Sequence, residues 1–163
     1  MTGATPAARR RGSSPGSRRR TRGQALVEFA LVAPIFLLVV FAIIEFGWYV
    51  YQVQTLNEAV REGSRYAIVH GSTSICPSGP MPGLPAATNW CDPSGGKVEA
   101  VVRNYAVGLA PTSLTFPTLT WSPNNGRGSI FTLVVQTTYQ QLIPLVPLPA
   151  ITIQGASSLV VQH

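Results

Sequence analysis

RRRTRGQALVEFALVAPIFLLVVFAIIEFGWYV, residues 18–50, decides the fold. A block of arginines stops at Gly23, and an apolar run begins at once. Between Ala25 and Val50 the only charges are Glu28 and Glu45. A helix that crosses a bilayer needs about 20 mostly apolar residues, at a rise of about 1.5 Å each. Residues 24–50 meet that length and are expected to form a transmembrane helix. Trp48, Tyr49 and Tyr51 fall at its far end, where an interfacial aromatic belt is expected. Pro34 removes the backbone bond to Ala30 and is expected to bend or loosen the helix. The run is too long for the apolar core of a cleaved secretory signal, and no small-x-small site follows it.

The charge is unevenly placed on either side of this run. The whole chain of 163 residues has a formal charge of +6. Residues 1–22 hold seven arginines and no acid. The remainder holds five basic residues against six acids. The high isoelectric point therefore describes the leader. Residues 1–23 are rich in Gly, Ser, Pro and Arg, cannot bury a core, and are expected to be a disordered cytoplasmic leader. Arginines just before an apolar run hold that side in the cytoplasm. The expected topology is a single pass through the inner membrane, N-terminus inside and C-terminal domain outside. A nucleic-acid partner would need a basic face on a folded module, and none is expected here.

Beyond the run, residues 51–70 continue as an amphipathic helix. Val53, Leu56, Val60, Gly63 and Ala67 recur at spacings of three and four, a narrow seam suited to a partner helix or to the chain's own sheet. Glu58 with Arg61 and Glu62 with Arg65 are i,i+3 pairs on the wet side. Gly63 weakens the helix unless a close approach requires it. It marks either that approach or a fraying point.

Residues 71–163 are expected to form a small extracytoplasmic α+β domain, opening on a Pro/Gly-rich loop over 71–96. Cys76 and Cys91 lie in that loop, fifteen positions apart, on the oxidising side of the membrane. A disulfide between them would stabilise the fold by about 3 kcal/mol in the chain-entropy model. With no histidine between them they make a poor metal site. Lys97 to Leu109 has the spacing of a short amphipathic helix, with Ser94 as its cap.

After Pro111 the period shifts toward two. Leu114 to Trp121 is read as a strand that Pro117 confines to an edge or a bulge. SPNNGRGS, residues 122–129, is a hairpin turn. Ile130–Tyr139 and Ile151–Val161 are further strands, the last bent at Gly155. The domain is thus expected to hold about three antiparallel strands. Between the last two, Leu142 to Leu148 is an apolar loop that either covers the core or forms an exposed partner or membrane-surface patch.

No enzyme signature is present. The two histidines, His70 and His163, stand at a helix end and at the terminus, with no acid constellation around them. No catalytic residue, cofactor or metal is expected.

The stretch Gly23–Gln24–Ala25–Leu26–Val27–Glu28–Phe29 resembles the prepilin-peptidase recognition sequence of the Flp branch of type IV pilins. There, a glycine precedes the cut, and a glutamate is the fifth mature residue with an aromatic after it. Together with Pro34, with Glu45–Phe46–Gly47 and with the run from Arg61 to Ala67, the stretch is similar to the TadE family of tight-adherence pilus proteins. The likeness covers residues 22–70. It implies cleavage between Gly23 and Gln24 by a prepilin peptidase, and association with other Flp/Tad pilus and secretion-system subunits. Phe29 stands where the major Flp pilins have tyrosine, and a large domain follows that they lack. Both departures point to a minor, pseudopilin-like member.

Glu28 has a physical reading of its own. An acid in an apolar span costs about 2.5–3.5 kcal/mol at midplane and less near an end. Cutting after Gly23 would free an ammonium on Gln24. Glu28 of a neighbouring subunit could neutralise it and fix the register of a homo- or hetero-oligomer of helices, with Phe29 and Pro34 in the same contact. Otherwise Glu28 is a boundary residue. Glu45 either snorkels to the outer interface or pairs with a partner. Two functions follow: a minor pilin or pseudopilin of a Flp pilus, or an uncleaved single-pass protein whose outer domain binds other envelope proteins.

Overall fold

The computed structural model describes residues 17–84, 91–143 and 149–162, with side chains from Gly23 onward. The leader up to residue 16, most of the Leu142–Leu148 loop and His163 lie outside the described residues. Helix α1 spans Ser17–Val69. It begins inside the segment expected to be a disordered leader. Arginine is a good helix former, and the apolar run supplies the length that a helical nucleus needs to propagate. The helix passes through Pro34 and past residue 50 without interruption, so the expected transmembrane and amphipathic segments are one element.

The chain forms two compact units, Met1–Ala42 and Ile43–His163, divided within α1. In the second unit, the expected seam of α1 is the buried one. Leu56, Ala59, Val60, Gly63, Ser64 and Ala67 are buried, while Val53 is half-buried. The seam packs on the chain's own helix and sheet. A Cβ on Gly63 would collide with Val102 Cγ2 and stand 3.3 Å from Leu133 Cδ2. Gly63 is therefore a point of close approach, and the fraying alternative falls.

Helix α2 spans Gly96–Tyr105 and buries Val98 and Val102. Its cap is Gly95, at φ 82°, with no side-chain bond, in place of the expected Ser94. That left-handed backbone favours glycine. The helix also stops short of Leu109. The Ala106 N–H closes on Val102 O at 2.9 Å, and the chain turns at Gly108. Leu109 still reaches the core.

A short 3-10 turn at Pro111–Ser113 leads into three strands: β1 (Thr115–Ser122), β2 (Ile130–Thr138) and β3 (Thr152–Val160). They form an antiparallel sheet in the order β1-β2-β3. Pro117 sits in edge strand β1, where the pairing slips between Thr115 and Thr118. A residue without an N–H is tolerated there. Central strand β2 buries Phe131, Leu133 and Val135 completely. Fully burying one such side chain contributes roughly 1.5–3 kcal/mol. Exposed ion pairs such as Glu58–Arg61, at 3.3 Å, contribute about 0–1 kcal/mol. The core, not the charge pattern, holds the domain together.

Gly155 does not interrupt β3, whose register with β2 is unbroken from Thr152 to Val160. The expected bend is corrected to a packing role. A Cβ there would lie 3.0 Å from Val60 Cγ2 and 3.4 Å from Asn57 Oδ1, so its absence lets α1 settle on the sheet.

Candidate functional site

From Gly23 to Ala42, α1 presents apolar side chains on every side. Phe29 is 70% exposed and Leu31 and Ile35 are 68% exposed. A helix hydrophobic all round belongs in lipid or among other helices. Its apolar window has mean hydropathy 2.8 and is long enough to cross a membrane. Glu28 is exposed on this surface and has no hydrogen bond or ion pair among the described residues. Pro34 is likewise exposed. Gly23 and Gln24 are both exposed, with nothing within 4 Å of the Gly23 Cβ position. The bond between them lies within α1, where glycine is a weak point.

Glu45 stands in the opposite situation. Its Oε1 accepts the Tyr139 hydroxyl at 2.6 Å and the Leu142 N–H at 3.1 Å. Its Oε2 accepts the Ile143 N–H at 3.2 Å. Of the two alternatives for this residue, pairing is the observed one, and the partners lie in its own chain. Burial, then the hydrogen bond and charge of Glu45, push the Tyr139 phenol up to about 12. Tyr49 meets the Tyr139 ring edge-on at 5.5 Å.

The next turn repeats the pattern. Gln140 O accepts both Trp48 Nε1 at 3.0 Å and Gln52 Nε2 at 2.8 Å. Tyr51 donates to Val107 O at 3.2 Å. The polar ends of Trp48 and Tyr51, expected to mark a membrane interface, are therefore spent on the domain. Gln52 is buried. Sequence reading missed this cluster, although a signal was present. Glu45, Tyr49 and Gln52 extend the three-and-four spacing of the seam backward from Leu56.

A second cluster braces the loop. Cys76 and Cys91 form the expected disulfide, with Cα atoms 5.4 Å apart. Lys97 Nζ lies 3.0 Å from both sulfurs. Buried Asp92, which the sequence did not single out, accepts from Ser78 Oγ and, at 3.3 Å, from Lys97 N. Ser78 N donates to His70 O at 2.8 Å, and Asn125 Nδ2 to Ser78 O at 2.9 Å. His70 stacks on Tyr66 at 3.9 Å just past the end of α1, in keeping with a helix-terminal role. Burial, and then the Asp92 charge, push the Tyr66 phenol up. Among the described residues no three His, Cys, Asp or Glu side chains are grouped to hold a metal ion.

A helix with a fully exposed apolar stretch, continuing into a disulfide-braced α+β unit, points to a membrane-anchored protein. Residues 23–65 match the family model of TadE-like proteins. The match stops within α1 and takes in neither α2 nor the sheet. No curated protein and no solved structure matches the chain.

Proposed function

We propose that the chain is a minor pilin or pseudopilin that takes part in assembling a Flp-type pilus. The observation that supports this most directly is the TadE-like match, which begins at Gly23, the residue before the expected cut. In this reading the arginines keep the N-terminus in the cytoplasm, and a prepilin peptidase cuts between Gly23 and Gln24. The new ammonium on Gln24 is then neutralised by Glu28 of a neighbouring helix. Glu28 is suited to that task because it is exposed and uncompensated among the described residues. An acid in an apolar setting favours any arrangement that supplies a counter-charge. Glu45 is already engaged within its own chain, so the register role rests on Glu28, flanked by Phe29 and Pro34. The partners are the peptidase, membrane lipid and other pilus subunits.

Intact mass of the protein extracted from its native membrane tests the processing step. A chain beginning at Gln24 is expected. Gly23→Leu should leave the leader attached. A wild-type chain that retains all its arginines would overturn the proposal in favour of an uncleaved envelope protein.

A further inference from the structure

The two edges of the sheet are not alike. Edge strand β1 carries Pro117 and a register slip, two devices that discourage further pairing. Edge strand β3 has neither. Its nine residues, TIQGASSLV, hold no proline and no charge, and pair with β2 without a bulge.

The ladder shows which backbone groups β3 leaves over. At its ends the Tyr139 N–H bonds Ile151 O at 2.8 Å, and the Val161 N–H bonds Ser129 O at 2.9 Å. Bonded pairs alternate in an antiparallel ladder. Ile153, Gly155, Ser157 and Leu159 therefore face β2 through their main chain. The N–H and C=O groups of Thr152, Gln154, Ala156, Ser158 and Val160 point outward. Among the described residues these groups have no backbone partner, and Val160 O accepts only the Gln162 side chain at 3.2 Å. All five side chains are exposed.

We infer that the β3 edge is a pairing site for β3 of a second copy of this chain, antiparallel and centred on Ala156. This register sets Ala156 against Ala156, Gln154 against Ser158 and Thr152 against Val160. Every outward group then meets an outward group, and the two three-stranded sheets become one. A second copy is the partner whose outward groups repeat those of this edge, so the two-fold register leaves none unmatched. No residue of the three strands is charged, so two copies meet without the like-charge opposition that normally disfavours self-pairing. The site lies entirely within Ile43–His163 and does not depend on the pilin reading.

Single-cysteine variants of the full chain in detergent test it, because both native cysteines are already paired. A bonded antiparallel pair sets Cα atoms about 5.5 Å apart, within disulfide reach. Ala156→Cys should oxidise to a covalent dimer, as should a mixture of Gln154→Cys and Ser158→Cys chains. Thr120→Cys, on β1, should stay monomeric. Ala156→Pro removes only an outward N–H and should abolish the dimer while the circular dichroism spectrum is kept. Equal crosslinking at Thr120 and Ala156, or a dimer that survives Ala156→Pro, would overturn the inference, as would a β3 edge that crosslinks only to a different protein in the native membrane. If Ala156→Pro fails to fold, the cysteine pairs still decide the matter. Failure of the cut at Gly23 would leave all these outcomes unchanged.

Discussion

Glu28 and Glu45 are the same residue type in the same apolar run, yet they sit in different chemical worlds. Glu45 has three donors, all from residues 139–143 of its own chain. Glu28 has none among the described residues. A carboxylate that is satisfied within the fold stabilises the fold. One that is not satisfied stabilises whatever assembly supplies its counter-charge. The contrast divides α1 into a stretch whose polar groups find partners in the chain's own domain and a stretch for which the described residues offer none.

Exchanging each acid for its amide is the sharpest way to break that contrast. Glu28→Gln should abolish fibre assembly, scored by electron microscopy of sheared material, and leave the thermal midpoint of the domain unmoved. Fibres at the parental yield would remove the register role from Glu28. A large effect on stability is expected where Gly63 of α1 packs against Val102 of α2. Gly63→Val should destabilise the domain by about 1–3 kcal/mol through overpacking against Val102 and Leu133. Urea denaturation reads this directly, and a variant as stable as the parent would mean that the helices can separate without cost.

Glu45→Gln should cost about 1–2 kcal/mol, since it loses a charged acceptor for three donors in a half-buried position. It should leave processing at Gly23 intact. The smallest effect is the alkaline one. The Tyr139 phenol sits at about 12 in the fold, against about 10 in an unfolded chain. Above pH 10 the unfolded state releases a proton that the native state keeps. The contribution of Tyr139 is thus complete below pH 10 and is lost as pH rises through about 12. Of the two tyrosines pushed up in the fold, Tyr66 and Tyr139, only Tyr139 should move down in the tyrosinate absorbance of Glu45→Gln. A titration unchanged by that substitution would separate Tyr139 from Glu45.

Local patterns in the chain were readable because their causes are local. The apolar run, the seam from Leu56 to Ala67 and Pro117 on an edge strand all follow from spacing or from a missing N–H. The Cys76–Cys91 bridge follows from pair count and topology. Asp92, Gln52 and Gln140 were not readable, because their roles depend on partners brought together only by the finished fold. Ser94 lost the cap position to Gly95 for a related reason. Capping propensity is a preference, whereas a left-handed turn is close to a requirement. Gly155 suggested a bend because the nearness of Val60, across almost a hundred residues, leaves no mark in its neighbourhood. At the candidate site, the resemblance drew attention to Gly23 and Glu28, and Glu45 was left undecided until Tyr139 came into view.

The grip on Gln140 has a mechanical consequence. Trp48 and Gln52, one turn apart, hold the same carbonyl just beyond the end of β2. Tension on residues 45–56 of α1 is therefore handed to the central strand instead of being absorbed by a slack tether. Anything that hauls on this part of the helix moves the sheet as cargo.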